Sequence, residues 1–416
     1  MRVQLGKKAC ASSLAVAVLA VLGRPVNAQV AEVDTSHTVF YEAPTHTNMF
    51  VYTPSVDVKV APSPWLEVRA GWEADVVSGA SVSTKFGAVY HASHPADVVS
   101  TASVHDLRNM AGGELTVKGD TTSLTGGYDY STEHDYQSNS LHVNARADAF
   151  QHNTQFALSY GHNFDRVCDR VQTESDPTRW SALETSTGCF TADATRTTHS
   201  IAIDTFESSW AQSWTPIVET QLTYTAQLVD GFQSDPYRSV ILGEAIKTQE
   251  HVPNERARQA VTGRLAVYLR GIKGALRFSL RGYSDTWALR SATAEAEFEK
   301  NLGDSVRVML RGRFYKQSGA VFWSDDYTGG DPPLGPRGQY WTGDRELSPF
   351  WSWLAGFRFV WTDEPEHGRI LGLLESFKFV GSASVTSFSY DQYTLGGLPV
   401  SDARAYVGTV SLVAAF

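Results

Sequence analysis

The sequence predicts an all-β protein, a transmembrane antiparallel up-and-down β-barrel of about sixteen strands. Three observations lead to this prediction. Apolar and polar residues alternate with a period of two along most of the chain, short and long connections separate the alternating segments, and an amphipathic segment ends the chain at Phe416. Residues two apart lie on the same face of a β-strand. Fourteen or eighteen strands remain open as alternatives.

The clearest alternation lies between Arg258 and Gln317, where the pattern predicts four consecutive strands. In the last of them, Val308, Leu310 and Phe314 alternate with positions rich in Arg. One face of this sheet is therefore apolar, and the other carries Arg and Glu. A soluble β-sandwich would bury the apolar face, whereas a barrel in lipid turns it outward and points the charges into a wet lumen.

Two features favour the barrel over the sandwich. The last strand presents Tyr406, Val410, Leu412 and Phe416 on one face. A terminal aromatic on such a strand is typical of the signal read by the outer-membrane insertion machinery, which makes that machinery an expected partner. Aromatic residues also gather near strand ends, where they suit a membrane interface, as in Trp351, Trp353, Phe357, Phe359 and Trp361.

The same alternation predicts every strand in order. A weak strand near 35–43 is accepted because it makes the count even, as in single-chain bacterial barrels. The predicted strands lie near 35–43, 48–60, 66–76, 107–118, 121–133, 141–148, 153–164, 196–206, 218–228, 258–269, 276–281, 292–299, 306–317, 348–362, 371–390 and 402–416.

The connections between these strands alternate in length. The predicted short turns lie at 61–64, 119–120, 151–153, 271–273 and 301–304, with somewhat longer ones at 207–214 and 363–370, and the long segments lie at 79–106, 165–195, 230–255, 318–347 and 391–401. Outer-membrane barrels have short periplasmic turns and longer outer loops. The long segments are therefore expected outside the cell.

The N-terminus predicts export. Residues 1–28 are typical of a secretory signal peptide, with a basic start, an apolar stretch and the small-residue cleavage site Val26-Asn27-Ala28. Residues 29–416 then form a single barrel domain. The chain has 35 basic and 45 acidic side chains, and the signal holds four of the basic ones and no acid, so the mature formal charge is −14. That balance argues against nucleic acid as a partner.

Two cysteines remain after the signal, Cys168 and Cys189, both in one long polar segment. An exported protein folds where disulfides form. The sequence therefore predicts a disulfide that closes this loop, with two free thiols as the alternative.

Charged residues on one face of three successive predicted strands form a ladder. Antiparallel neighbours bring such residues within pairing distance. The ladder has a structural interpretation, in which pairing satisfies inward charges, and a functional one, in which a fixed transverse field orients polar solutes. Its members are Arg277, Arg281, Glu295, Glu297, Glu299, Arg307, Arg311 and Arg313.

The most distinctive sequence motifs lie in two long loops, Gly231 to Arg238 and Tyr340 to Ser348. Together with Asp75 to Ser81 and Asp97 to Ser103, they resemble a domain-of-unknown-function family of predicted bacterial outer-membrane barrels. The resemblance implies the barrel fold and an outer-membrane location, and it brings no substrate and no catalytic residue. Opposite charges in these loops predict that the loops constrict the barrel mouth, and the alternative is that they are ordered turns at its rim. The residues concerned are Asp235, Tyr237, Arg238, Asp344, Arg345 and Glu346.

The expected function is the passage or binding of a small polar solute, with the lipid bilayer as the main partner and no cofactor. One alternative is a non-conducting barrel that serves as a scaffold for periplasmic proteins. A lesser alternative is a surface enzyme, or a metal site, built on the loose group of His91, His94 and His105. No catalytic motif supports the enzyme, so none is predicted.

Overall fold

A computed structural model of the protein describes residues 30–43, 49–79, 98–100, 105–243, 246–327, 339–364, 369–370, 372–395, 398–399 and 403–416. The predicted signal peptide, residues 1–28, lies outside this set. Twenty-one strands are present: β1 Val30–Ala43, β2 Met49–Ser63, β3 Leu66–Gly79, β4 Val98–Ser100, β5 His105–Lys118, β6 Thr122–Thr132, β7 Tyr136–Ala149, β8 Thr154–Arg170, β9 Arg196–Thr215, β10 Val218–Gly231, β11 Arg238–Leu242, β12 Ile246–Gln249, β13 Glu255–Leu269, β14 Gly274–Asp285, β15 Arg290–Leu302, β16 Val306–Gln317, β17 Phe350–Asp363, β18 Ser376–Tyr390, β19 Thr394–Leu395, β20 Leu398–Pro399 and β21 Ala403–Ala415.

Sixteen of these strands close into one antiparallel barrel, in the order β1-β2-β3-β5-β6-β7-β8-β9-β10-β13-β14-β15-β16-β17-β18-β21. Closure comes from pairing of the last strand with the first, from Glu32 opposite Ala415 to Ala43 opposite Arg404. Each barrel strand thus has a neighbour on both sides, which removes exposed sheet edges. The prediction of a sixteen-stranded barrel is confirmed.

The apolar face of the sheet points outward. Leu280 is 68% exposed, Leu310 is 56% exposed and Phe278 is 46% exposed, although all three belong to the most regular strands of the chain. The soluble-sandwich alternative is wrong, because that fold would bury these side chains. An apolar belt of this extent is what a surrounding hydrocarbon phase requires.

Several predicted boundaries are wrong. No turn lies at 207–214, because β9 continues to Thr215 and pairs with β10 throughout, with Trp210 opposite Leu222. The strand was missed because the serines in this stretch weaken the apolar alternation, while the paired neighbour still satisfies the backbone. Strand β8 likewise continues to Arg170, and β18 begins at Ser376 rather than 371.

Connection lengths do not alternate strictly either. The connections at 133–135 and 286–289 are short, yet each lies at the same end of the barrel as the long segments at 171–195 and 318–349. We call this end the loop end and the opposite one the turn end. In the described part of the chain, no helix is both long and apolar enough to cross a membrane.

The orientation of the two faces gives the first testable prediction. Leu310→Arg places a charge on the apolar belt, which at the middle of a bilayer costs about 2–4 kcal/mol. We expect the free energy of unfolding of the barrel in lipid vesicles to fall by that amount. The matched control is Met309→Arg, because Met309 faces the lumen opposite Glu299. Equal destabilisation by both variants would contradict the assignment of the faces.

Candidate functional site

Two long connections at the loop end fold over the barrel mouth, and one glycine sets the course of the first. Gly231 ends β10 with φ of 120°, and a Cβ on it would lie 2.1 Å from the carbonyl oxygen of Ser200. Only glycine tolerates both conditions. The chain then turns inward, and residues 232–254 form a hairpin in which β11 pairs with β12.

Four charged residues join this loop to the loop of residues 318–349. Nη1 of Arg238 lies 2.8 Å from Oε2 of Glu250 and 3.0 Å from Oδ2 of Asp344, and its Nη2 lies 3.2 Å from Oδ2 of Asp235. The backbone N–H of Asp235 also donates to Oε1 of Glu250, at 2.9 Å. We call Asp235, Arg238, Glu250 and Asp344 the mouth cluster. It joins two loops that are far apart in the sequence through one guanidinium.

Burial governs the protonation of the mouth cluster. Burial raises the pKa of Glu250, and the ion pair with Arg238 offsets part of that rise. Burial alone would lower the pKa of Arg238, but the three carboxylates around it raise it well above its usual value. The hydroxyl of Thr342 donates to Oε2 of Glu250 at 2.6 Å. Removing one partner from a buried, hydrogen-bonded ion pair leaves the other charge buried without a counter-charge, which is strongly destabilising.

A second ion pair fixes the loop of residues 318–349 to β1, which lies four strands from β16 in the closed order. Arg345 pairs with Glu42, at the end of β1, with 3.3 Å between Nη2 of Arg345 and Oε2 of Glu42. The guanidinium also lies 5.7 Å from the ring centre of Tyr390. Burial works to lower the pKa of Arg345, but Tyr390 and Glu42 raise it above its usual value. The loop therefore reaches from β16 to β1, a quarter of the way round the closed order.

Apolar packing beneath these ion pairs holds the loops down. Trp341 is 1% exposed, and its Nε1 donates to the carbonyl of Gln249 at 2.8 Å. His251 and Trp341 exchange two backbone hydrogen bonds, of 2.8 and 3.1 Å. Two clusters of buried side chains result: Val240, Leu242, Tyr327 and Trp341, and Val252, Trp287, Leu289, Ala320, Phe322, Trp323, Leu347 and Tyr393. Much of the buried apolar core thus lies over the mouth.

The two cysteines and Tyr237 connect the loop of residues 171–195 to the loop that carries the mouth cluster. Cys168 and Cys189 form a disulfide. Tyr237 packs against them and donates its hydroxyl hydrogen bond to Asp135. The N–H of Leu183 donates to the carbonyl of Pro236 at 2.7 Å. The loop closed by the disulfide therefore supports residues 232–254 from outside.

The structure brings most of the charge ladder together on the inner wall. Arg277 pairs with Glu299 at 3.1 Å, and Arg307 lies 3.7 Å from the same carboxylate. Arg311 lies 2.5 Å from Glu295 and 3.8 Å from Glu297. Glu297 is nonetheless the direct cross-strand partner of Arg277 and Arg311, so several contacts run diagonally.

Two predicted ladder residues stay outside these pairs. Among the described residues, Arg281 and Arg313 form no ion pair. Glu295 lies directly opposite Arg313 but pairs with Arg311 instead. The ladder residues in ion pairs are partly exposed to the lumen, so each pair contributes little stability. The wall thus keeps guanidinium groups that are available to a solute.

Two parts of the inner wall that face each other differ in charge. On β13 to β16, inward basic residues outnumber acids: Arg256, Arg258, Arg264, Arg277, Arg281, Arg307, Arg311 and Arg313 against Asp285, Glu295, Glu297 and Glu299. On β2 to β7, which lie opposite in the closed order, the described inward acids outnumber the bases: Asp57, Glu67, Glu73, Asp75, Glu114, Asp129 and Asp148 against Lys59, Arg69, Arg108, Lys118 and Arg146. The charges face each other across the lumen.

Sequence reasoning missed Glu42, Glu250 and Trp341. The apolar run Val240 to Leu242 followed by Gly243 is a hairpin signal that could have pointed to the neighbourhood of Glu250. His91 and His94 lie outside the described residues, so the lesser alternative that groups them with His105 is not tested. Within the described ranges, no group of three or more His, Cys, Asp or Glu has a metal-binding arrangement.

Comparison with known proteins identifies a family and a set of similar shapes. The model of the family described as protein of unknown function (DUF3570) matches residues 9–362. No curated protein matches the chain. Pseudomonas aeruginosa OccK2 (OpdF) has a TM-score of 0.42 at 7% identity, covering 94% of this chain and 99% of that one.

Two further solved structures are similar at the same level. P. aeruginosa OpdK, solved with vanillate, has a TM-score of 0.42 at 7% identity, covering 94% of this chain and 100% of that one. A bacterial polysaccharide outer membrane secretin has a TM-score of 0.48 at 9% identity, with 94% and 100% covered. At these values, the likenesses assign no solute to this chain.

The tether between Arg345 and Glu42 gives the second prediction. Arg345→Met leaves Glu42 buried without its partner, which should weaken closure of the loop by about 3–5 kcal/mol. We expect faster proteolysis within residues 318–349 of the folded protein. The double variant Arg345→Met/Glu42→Leu has no stranded charge and should be cleaved more slowly than the single variant. A double variant cleaved as fast as the single one would show that the ion pair does not hold the loop.

Proposed function

The chain belongs to the DUF3570 family of proteins of unknown function, and we propose that it is an outer-membrane channel for small polar solutes. Its own geometry carries the proposal: the mouth cluster and the tether to Glu42 draw two loops across the end of a barrel with a charged inner wall. This arrangement supports a narrowed, charged passage. The proposal includes a signal peptide at 1–28 and one barrel domain at 29–416.

The apolar exterior supports the membrane location. Backbone groups in lipid must be satisfied within the protein, which a closed barrel achieves. The terminal residue is part of that closure, since the N–H of Phe416 donates to the carbonyl of Ala31 at 2.9 Å. We assign the turn end to the periplasm and the loop end to the outside, following the general rule for such barrels. The insertion machinery would then read the segment that ends at Phe416.

The charged lumen supports a role in solute passage. Basic and acidic walls that face each other produce a field across the passage, and a dipolar solute lowers its energy by aligning with that field. The narrowing at the loop end forces a solute close to these side chains. Selection would then act by charge arrangement as well as by size.

Single-channel recording tests the proposal. The full-length protein in a planar bilayer should give discrete conductance steps. Arg238→Ala leaves buried Glu250 without its counter-charge, which costs loop closure about 3–5 kcal/mol, and Asp344→Ala removes the ion pair that joins the two loops, so the conductance should rise in both variants. The control is Arg369→Ala, because Arg369 forms a half-exposed ion pair with Glu375 at the turn end. Silent insertion would support the scaffold alternative, and unchanged conductance would contradict constriction by the loops.

The pH dependence of ion selectivity gives a further prediction. Burial and the nearby Asp344 raise the pKa of Glu346 above its usual value of 4.5. Glu346 therefore takes up a proton at a higher pH than a free glutamate does, and the mouth becomes less negative as the pH falls. We expect the reversal potential to shift toward that of an anion-selective channel as the pH falls, and the midpoint of this shift should lie above pH 4.5. Glu346→Gln should remove this step, whereas Glu375→Gln should retain it.

A further inference from the structure

A cavity of about 620 Å³ lies directly beneath the mouth cluster. Its volume falls within the range of small-molecule sites, about 300–1,000 Å³. Four carboxylates and one guanidinium line its roof, which is formed by the loops: Asp235, Arg238, Glu250, Asp344 and Glu346. Its wall, on the barrel strands, includes Arg256, Arg258, Arg281, Tyr283, Ser291 and Tyr315. The cavity therefore has an acidic roof and a basic wall.

Two of the three wall arginines have donors to spare. Arg256 is satisfied by Asp285, at 2.9 Å from Nε and 2.5 Å from Nη2, and it stacks on Trp287. Arg258 donates to Gln227 through Nη1, but its Nε is buried without a hydrogen-bond partner. Arg281 forms no ion pair with any described acid. A buried donor without a partner is costly, so Nε of Arg258 points to an absent acceptor, and the exposed guanidinium of Arg281 is free to bind the same group.

The roof has the complementary surplus. Arg238 is shared among Asp235, Glu250 and Asp344, so one positive charge faces three negative ones. Within the described residues, the carboxylate of Glu346 forms no ion pair and accepts no hydrogen bond. The roof thus presents a carboxylate that a cation can still bind.

We propose that this cavity binds a small zwitterion, with its carboxylate at Arg258 and Arg281 and its ammonium group at Glu346. The proposal rests on the channel function above and names its solute class. Four arginines and four carboxylates line the cavity. A solute with one sign of charge would be attracted by one side of the cavity and repelled by the other. A zwitterion satisfies both sides at once.

Binding to the purified full-length protein in detergent tests the proposal without requiring conduction. The probes are ω-amino acids from glycine to 8-aminooctanoate, each compared with the carboxylate and the amine of the same chain length. We expect at least one ω-amino acid to bind about tenfold more tightly than both of its singly charged counterparts in isothermal titration calorimetry. If none does so at any length, the proposal is wrong.

Three variants assign the two ends of the ligand. Arg281→Gln should weaken binding of the ω-amino acid and the carboxylate about tenfold and leave the amine unchanged. Glu346→Gln should weaken the ω-amino acid and the amine and leave the carboxylate unchanged. The control is Arg358→Gln, an inward arginine toward the turn end, opposite Met309 and outside the cavity lining. The proposal fails if Arg281→Gln and Arg358→Gln have the same effect.

Conductance separates this inference from the proposed function. Zwitterion binding by a protein that inserts silently would refute the channel and leave the binding site intact. Conduction by a protein that binds no ω-amino acid more tightly than its singly charged counterparts would refute the site and leave the channel intact. Migration of each unheated variant on a gel shows whether the barrel has folded before its affinity is compared.

Discussion

The pairing of β21 with β1 is the constraint on which the rest of the structure depends. It closes the sheet, so each barrel strand donates and accepts backbone hydrogen bonds on both sides. Closure also separates the two faces of every strand, because side chains alternate. Leu280 and Leu310 must then point outward while Arg281 and Arg311 point inward. The apolar belt and the charged lumen follow from this single topological fact.

Closure leaves the barrel wall without an apolar interior, and the loops supply one. The most deeply buried large side chains include Trp341, Tyr327 and Leu242, all from the loop end. Ion pairs hold the same loops: Arg238 joins the two loops, and Arg345 ties one loop to β1. Hydrophobic burial and ion pairing therefore act together at the mouth. Along the wall, by contrast, the charges remain accessible to the lumen.

The sequence predicts the strands well because their signal is local. A period of two is visible in any eight residues, so the region from Arg258 to Gln317 has the predicted strands and faces. Prediction fails where serines interrupt the pattern, as in the second half of β9. The sequence also predicts which charged residues of the ladder share a face of the sheet. It does not predict that Glu295 pairs with Arg311, since side-chain conformation decides between a direct and a diagonal partner. Contacts such as Arg238 with Glu250, or Arg345 with Glu42, join distant segments and leave no periodic trace.

The tether from Arg345 to Glu42 also crosses the junction between the two chain termini. The loop starts after β16, its Arg345 lies against Tyr390 at the end of β18, and the same residue is anchored on β1. The junction is thus held by the backbone hydrogen bonds between β21 and β1. At one end it is also held by the ion pair from Arg345, in a different part of the chain. Separation of β21 from β1 that starts at that end would first have to break the ion pair that holds this loop. Separation of β21 from β1 and opening of the mouth are therefore mechanically coupled.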